Sequence, residues 1–472
     1  MKRRPAVTTT AQQSNPSGYR VQNPATGEVV ETFETATDAQ VVQAVDAAQA
    51  AYESWGALPI AERAVVVKRV AELFTERADE LASTITLEMG KPFSESKGEA
   101  EFCTDIFNYF ATEGPTLAAD QEINAIGGGR AVVQRLPVGP LLGIMPWNYP
   151  YYQVARFVAP NLMLGNTIVL KHAETCPRSA MAIAQIMDDA GVPAGAYVNL
   201  FATHDQIADI IADPRIQGVS LTGSERAGAI IGQLAGQNLK KAVLELGGSD
   251  PYVVLDSEDV KAAAKLAWDT RIENTGQACN SNKRMIVMED IYDDFVAGLT
   301  EQANGLVPGD PATEDAGTFG PLSSRAAAEA VHEQVQDAVS KGATLHAGGT
   351  LHDGPSCYYS PAVLTGITKD MRAYREELFG PVAVVYKVSS DEEAIKLAND
   401  TQYGLGGAVF STDEERARKL AHRLQVGMAN VNGIGEDADL PFGGVKRSGY
   451  GRELGPLGMD EFVNKRLFYI AD

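Results

Sequence analysis

Ala242-Val243-Leu244-Glu245-Leu246-Gly247-Gly248 is a short apolar run that ends in an acid and two glycines. It is the last of five β-rich runs, at 142–145, 167–170, 197–201, 218–221 and 242–246. Amphipathic segments such as 179–189 and 226–234 lie between them. Strand, helix, strand repeated in this way predicts a parallel sheet with helices on its faces. A ligand of such a sheet sits beyond the carboxyl ends of the strands. Asn148, Lys171, Ser224 and Glu245 all fall at or just past strand ends, which makes them the first candidates for a site.

Outward from this sheet, helical spacing opens the folded part. After Thr37, a plausible N-cap, Val41, Val45, Ala48, Tyr52 and Trp55 recur at three- and four-residue steps. A second helix follows Pro59 with Val66, Val70, Leu73 and Phe74. Another α/β unit starts after Pro251, with strands at 285–288 and 382–388 and a helix near 326–339. The stretches 130–136 and 466–470 read as edge strands, and pairing between subunits is one way to cover such edges. At 472 residues, more than one core is expected.

The net charge of −22 repels phosphates, so neither nucleic acid nor an anionic membrane is an expected partner. No run of about 20 apolar residues is present to span a bilayer. Lys2, Arg3 and Arg4 are followed by no apolar run, so no secretory signal is expected. Thr8 to Pro16 reads as a flexible arm. Four cysteines without a CxxC suit a reducing compartment, here the cytoplasm. The histidines are scattered with no HExxH, and no metal is expected.

Three residues carry the chemistry. Gly276-Gln277-Ala278-Cys279 sets a cysteine after a glycine turn, Glu245 ends a strand among apolar neighbours, and Pro146-Trp147-Asn148-Tyr149-Pro150 holds an amide between prolines. Each has an ordinary alternative: a small buried hydrophobe, a salt-bridged acid, a turn asparagine. Together they form a mechanism. A Cys279 thiolate adds to an aldehyde carbonyl, and the Asn148 amide and the Cys279 N–H meet the oxyanion. Hydride leaves for a nicotinamide, and Glu245 activates the water that hydrolyses the thioester.

These motifs, in order over most of the chain, resemble the aldehyde dehydrogenase superfamily. The likeness runs from Val21-Gln22-Asn23-Pro24 through Glu88-Met89-Gly90-Lys91-Pro92 and the three segments above. It continues with Glu376-Glu377-Leu378-Phe379-Gly380-Pro381 and Pro441-Phe442-Gly443-Gly444-Val445-Lys446-Arg447-Ser448-Gly449. It implies an α/β fold with a Rossmann-like cofactor domain, a second α/β catalytic domain and a small β oligomerisation extension. The expected division is an arm at 1–18, an NAD(P)-binding domain at 19–122 and 143–246, a catalytic domain at 247–440, and oligomerisation strands at 123–142 and 453–472. A homodimer or homotetramer is implied.

Residue by residue, the resemblance makes Cys279 the nucleophile, Glu245 the base and Asn148 the oxyanion donor. Glu453 matches a second acid that some members use as a proton relay; the lysine partnering it there falls at Phe157, which leaves a structural role open. No GxGxxG follows the first strand. Instead Gly223 and Ser224 stand at a strand-to-helix turn, and the resemblance assigns Ser224 to a pyrophosphate. Lys171 and Glu174 match the pair at the adenosine ribose, and Ile144, Trp147, Glu377 and Phe379 complete the cofactor set. A carboxylate at Glu174 repels a 2′-phosphate, so NAD is expected ahead of NADP, with NADP possible.

The segments around Asn148, Lys171 and Lys446 look most like bacterial succinate-semialdehyde dehydrogenases, in which the residue matching Arg156 binds the substrate carboxylate. An arginine fork suits that task. Three features depart. Glu273 stands where some of these enzymes have a second arginine, the loop before Pro441 carries Glu436, Asp437 and Asp439, and Ser281 replaces a redox-switch cysteine. The acids either attract an amino-aldehyde, or point to solvent or pair with Arg271. Neutral aromatic or amino-aldehydes are the alternative substrates; a non-catalytic binding protein on the same fold is a further one.

Overall fold

The computed structural model describes residues 18–472, so the expected arm lies, but for Gly18, outside the described residues. The five anticipated strands form a parallel array in the order Lys241–Glu245, Gly218–Thr222, Pro140–Ile144, Thr167–Lys171, Tyr197–Asn199. Gly449–Tyr450 adds antiparallel to Lys241–Glu245. Every residue of Gly218–Thr222 and Thr167–Lys171 is buried, which is why these strands read as apolar runs rather than as alternation. The chain enters at the central strand Pro140–Ile144, works outward on one side, then returns to the other. That reversal opens a crevice at the carboxyl ends of Pro140–Ile144 and Gly218–Thr222.

The helix Asp38–Trp55 starts in a capping box. Gln40 N–H donates to Thr37 Oγ1 at 3.3 Å, and Thr37 N–H donates to Gln40 Oε1 at 2.8 Å. Its face Val41, Ala44, Val45 and Ala48 packs with Leu142 and Val169 of the sheet. Burying a valine or leucine in this way contributes about 1.5–3 kcal/mol.

Helix Tyr152–Leu164 is buried from Gln153 onward, and both its ends are held by neighbouring helices. Glu99 accepts from the N–H groups of Tyr151 (2.8 Å) and Tyr152 (3.1 Å). At the other end Arg63 donates to the carbonyls of Met163 (3.0 Å) and Leu164 (3.1 Å), and Trp55 donates to Leu162. Groups that a helix leaves unmatched at its ends are thus satisfied without water. This fixes the loop just before it, which carries Asn148.

A second sheet of seven strands contains Pro251–Val254, Arg284–Met288, Val382–Val388 and Gly406–Phe410, all parallel. A third, of three antiparallel strands, joins Val463–Ile470, Arg130–Pro137 and Gln121–Ile123. Two expectations change here. Arg130–Pro137 is the central strand of its sheet, paired on both sides, so only Val463–Ile470 and Gln121–Ile123 present edges. Residues 140–142, grouped above with the projecting strands, open the cofactor-side sheet instead, because Gly139 (φ +128°) turns the chain between the two. Among the described residues no helix is long and apolar enough to cross a membrane.

Candidate active site

Cys279 lies just past a strained turn. Asn274 (φ 49°) and Thr275 (φ 53°) adopt left-handed backbone before Gly276, and the buried Arg271 fastens the turn. Its guanidinium donates to the carbonyls of Gly276, Val382, Leu378 and Gly380 and to Ser281 Oγ. Arg271 is therefore not a partner for the acidic loop, one of the roles open to it above.

One cavity of about 280 Å³ brings Trp147, Asn148, Gly223, Ser224, Glu245, Cys279, Glu377 and Phe379 together. Asn148 Nδ2 donates to Gln277 O (3.0 Å), and the buried Asn274 Nδ2 donates to Asn148 O (2.8 Å), which locks the amide beside the cysteine loop. Glu245 is 2 % exposed, and among the described residues neither carboxylate oxygen has a hydrogen-bond partner. Burial first, and then the neighbouring Glu453, push its carboxyl well above the usual range. Burial also pushes the Cys279 thiol up to about 12, with Arg156 and Lys283 pulling it down. Gly443 backs onto Glu245, where a Cβ would meet Oε1 at 2.6 Å.

The remaining cofactor candidates fall along the same crevice. Ile144 and Lys171 sit opposite each other at strand ends. Ser224 caps helix Glu225–Gln237, accepting from Ala227 N–H at 3.3 Å, and its hydroxyl proton stays available. Thr222 Oγ1 is buried without a partner on the same wall. Lys171 Nζ donates to Glu174 Oε1 at 3.1 Å, and exposed His204 lies 3.7 Å from that oxygen. Trp147 and Phe379 meet edge to face at 5.7 Å.

Arg156 is where the structure departs furthest from the sequence reading. Its guanidinium is fully buried, with Nε 2.9 Å from Glu453 Oε2, and it also donates to Gln153 and Tyr152. The rings of Tyr152 and Phe442 cover it at 4.6 and 4.2 Å. It is not presented to a substrate carboxylate; it is the buried cation of Glu453. With Phe157 in place of a lysine, the charge facing Glu453 comes from Arg156, an arrangement that suits the structural role left open for this acid.

A second cavity, about 430 Å³, also reaches Cys279. Its walls include Tyr149, Tyr152, Phe442, Glu95, Glu273 and Glu436, with no arginine or lysine. Tyr149 OH donates to Glu273 (2.9 Å), and Asn280 donates to Glu436. Burial pushes Glu95 to about 7 and Glu436 upward, with Glu273 adding to both. The acidic-loop residue Glu436 lines this cavity while remaining exposed to solvent.

Nothing in the motifs pointed to Lys283, four residues after Cys279 and buried beneath it. Glycines 247 and 248, by contrast, have a readable reason. A Cβ on Gly247 would meet Glu377 Oε2 at 2.3 Å, and one on Gly248 would meet Cys279 O at 2.3 Å.

A thiol, a buried acid and an amide donor around one crevice of a doubly wound sheet define a class, and the comparisons give its family. The family model for the aldehyde dehydrogenase family matches residues 10–467; the chain belongs to this family and is an oxidoreductase acting on aldehydes. The NADP(+) succinate-semialdehyde dehydrogenase of Deinococcus radiodurans is 54 % identical over 450 residues, 95 % of this chain and 94 % of that one. A counterpart of the same name from Mycobacterium avium is 42 % identical over 95 % of this chain and 96 % of its own. Among solved structures, succinic semialdehyde dehydrogenase from Streptococcus pyogenes in complex with NADP+ matches with a TM-score of 0.93 and 42 % identity, covering 96 % and 100 %. The expected preference for NAD finds no support in these names, which specify NADP.

Proposed function

We propose that this chain oxidises succinate semialdehyde to succinate through a thioester on Cys279. Glu245 serves as the base for the deacylating water, and Asn148 and the Cys279 N–H serve as oxyanion donors. The observation that carries the reading is the single cavity lined by Asn148, Glu245, Cys279, Glu377 and Phe379. The substrate rests on the names of the relatives.

The residues present fit a nicotinamide dinucleotide. Ser224 and unpartnered Thr222 Oγ1 stand at a helix N-terminus that favours a pyrophosphate, and Glu377, Trp147 and Phe379 frame the inner end. A nicotinamide held there by Glu377, Trp147 and Phe379 would supply the hydride acceptor for the substrate carbon. NADP is read as accepted because Lys171 and His204 stand beside Glu174 as groups that could meet a 2′-phosphate. Glu174 limits that affinity without abolishing it.

The body built on the six-stranded sheet is read as the nucleotide-binding unit, and that built on the seven-stranded sheet as the catalytic one. Strand Val463–Ile470 exposes Leu467, Phe468, Tyr469 and Ile470, a combination suited to pairing with a second copy in a dimer or tetramer. Four free cysteines suit the cytoplasm.

One observation favours a second reading. The second cavity, taken as the substrate side, is lined by four glutamates, of which Glu99 is paired with buried Lys91, and by four aromatic rings. No arginine or lysine stands in its walls, which suits an ammonium-bearing aldehyde. Initial rates with succinic semialdehyde, glutaric semialdehyde, 4-aminobutyraldehyde and benzaldehyde separate the two. If the acid semialdehydes are the poorest substrates and 4-aminobutyraldehyde the best, the second reading replaces the first.

A further inference from the structure

Lys283 is 1 % exposed in its side chain. An ammonium has three N–H donors, and here each meets an acceptor: Ala278 O at 2.6 Å, Cys279 O at 2.8 Å and Glu377 Oε1 at 3.0 Å. Burying an ammonium is unfavourable unless its donors are met and its charge is balanced. Both conditions hold, and the acceptors are the carbonyls on either side of the Cys279 α-carbon.

That placement has a consequence for the cysteine. The Ala278 carbonyl and the Cys279 N–H belong to one planar trans peptide and point in opposite directions. A cation that draws the carbonyl to itself turns the N–H away. The Cys279 N–H has no acceptor among the described residues, so it is free to meet an oxygen bound above Sγ. The other end of the arrangement is Glu377, whose Oε1 also accepts from Gly248 N–H at 2.9 Å. Gly248 in turn packs against Cys279 O so closely that no side chain fits between.

We propose that Lys283 is a positioning residue for the oxidation: it holds the carbonyls of Ala278 and Cys279 so that the Cys279 N–H stays aimed at the aldehyde oxygen, and its ion pair with Glu377 ties that aim to the cofactor side of the crevice. The proposal rests on the reading of Cys279 as the nucleophile. The same ammonium also favours the thiolate, opposing the burial that pushes the thiol up.

The test is Lys283→Met, which keeps an unbranched apolar stem and removes the donors and the charge. Two readouts are taken: steady-state kinetics, and the pH profile of Cys279 alkylation by iodoacetamide without cofactor. A misaimed donor predicts kcat lower by about 100-fold with the aldehyde KM within about threefold. The alkylation profile moves to higher pH. A wild-type kcat and an unmoved alkylation profile overturn the proposal, even if the melting temperature falls. Should Lys283→Met fail to fold, Lys283→Met/Glu377→Gln removes both charges and is compared with Glu377→Gln alone. A further loss of kcat supports the proposal, and equality overturns it. Loss of folded protein in both lysine variants, with Glu377→Gln folded, also overturns it by making Lys283 a folding residue. Cys279→Ala is the control: if it stays active the underlying reading fails, whereas a dead Cys279→Ala beside an unaffected Lys283→Met fails Lys283 alone.

Discussion

Arg156 Nε lies 2.9 Å from Glu453 Oε2, and the rings of Tyr152 and Phe442 close over the guanidinium. Removing one partner of such a pair leaves an uncompensated buried charge, which costs about 3–5 kcal/mol. Arg156→Met is therefore expected to lower unfolding stability by that amount in urea titrations. Its catalytic loss is expected to be equal for succinic semialdehyde and benzaldehyde. A KM increase confined to the acid semialdehyde would instead restore Arg156 as a substrate receptor.

Burial raises both Glu245 and Glu453, and the charge of Glu453 pushes Glu245 further up. The base form of Glu245 becomes more populated as pH increases, so thioester hydrolysis quickens with pH. Glu453→Gln removes the like charge and leaves Arg156 unopposed, and both changes move the rising limb to lower pH. Single-turnover deacylation rates across pH check this; an unmoved limb separates the two acids.

Glu174 takes the Lys171 ammonium at 3.1 Å and lies 3.7 Å from His204. Replacing it by serine is expected to raise kcat/KM with NADP by about tenfold, one step of 1.4 kcal/mol, and to change the value with NAD much less. Parallel initial-rate series with the two dinucleotides decide it. Equal gains with both would mean that Glu174 does not face the 2′ position.

Asp250 is buried, with Oδ1 unpartnered, and burial pushes it from 3.8 to about 7. Because the folded value is the raised one, its stabilising contribution is complete below about pH 3.8. It is lost as pH rises through about 7, a swing on the order of a few kcal/mol. Asp250→Asn is expected to flatten that part of the stability–pH curve and to be the more stable form at pH 8. Denaturant midpoints at pH 5 and pH 8 measure it, and parallel curves for the two proteins would contradict it.

The cofactor-side sheet was legible because its strands are buried on both faces and closed by glycine or a polar residue, as at Leu246-Gly247-Gly248. The capping box at Thr37 and Gln40 is equally local. What sequence reading missed depends on contacts between distant segments. Arg156 and Glu453 are almost 300 positions apart, and no local pattern in the sequence pairs them. Arg130–Pro137 looked like an edge because alternation reports one wet face, not how many neighbours a strand has. Lys283 follows Cys279 by four residues, but nothing in its sequence surroundings predicts that its ammonium turns inward toward two carbonyls.

The central claim is the thioester on Cys279, and the most direct measurement is intact mass and peptide mapping of Glu245→Gln quenched soon after mixing with succinic semialdehyde and NADP. The account predicts a single acyl adduct on Cys279, formed with one equivalent of reduced dinucleotide and then slow turnover. Sustained wild-type turnover with Cys279 unmodified, or an adduct on any other residue, would contradict it.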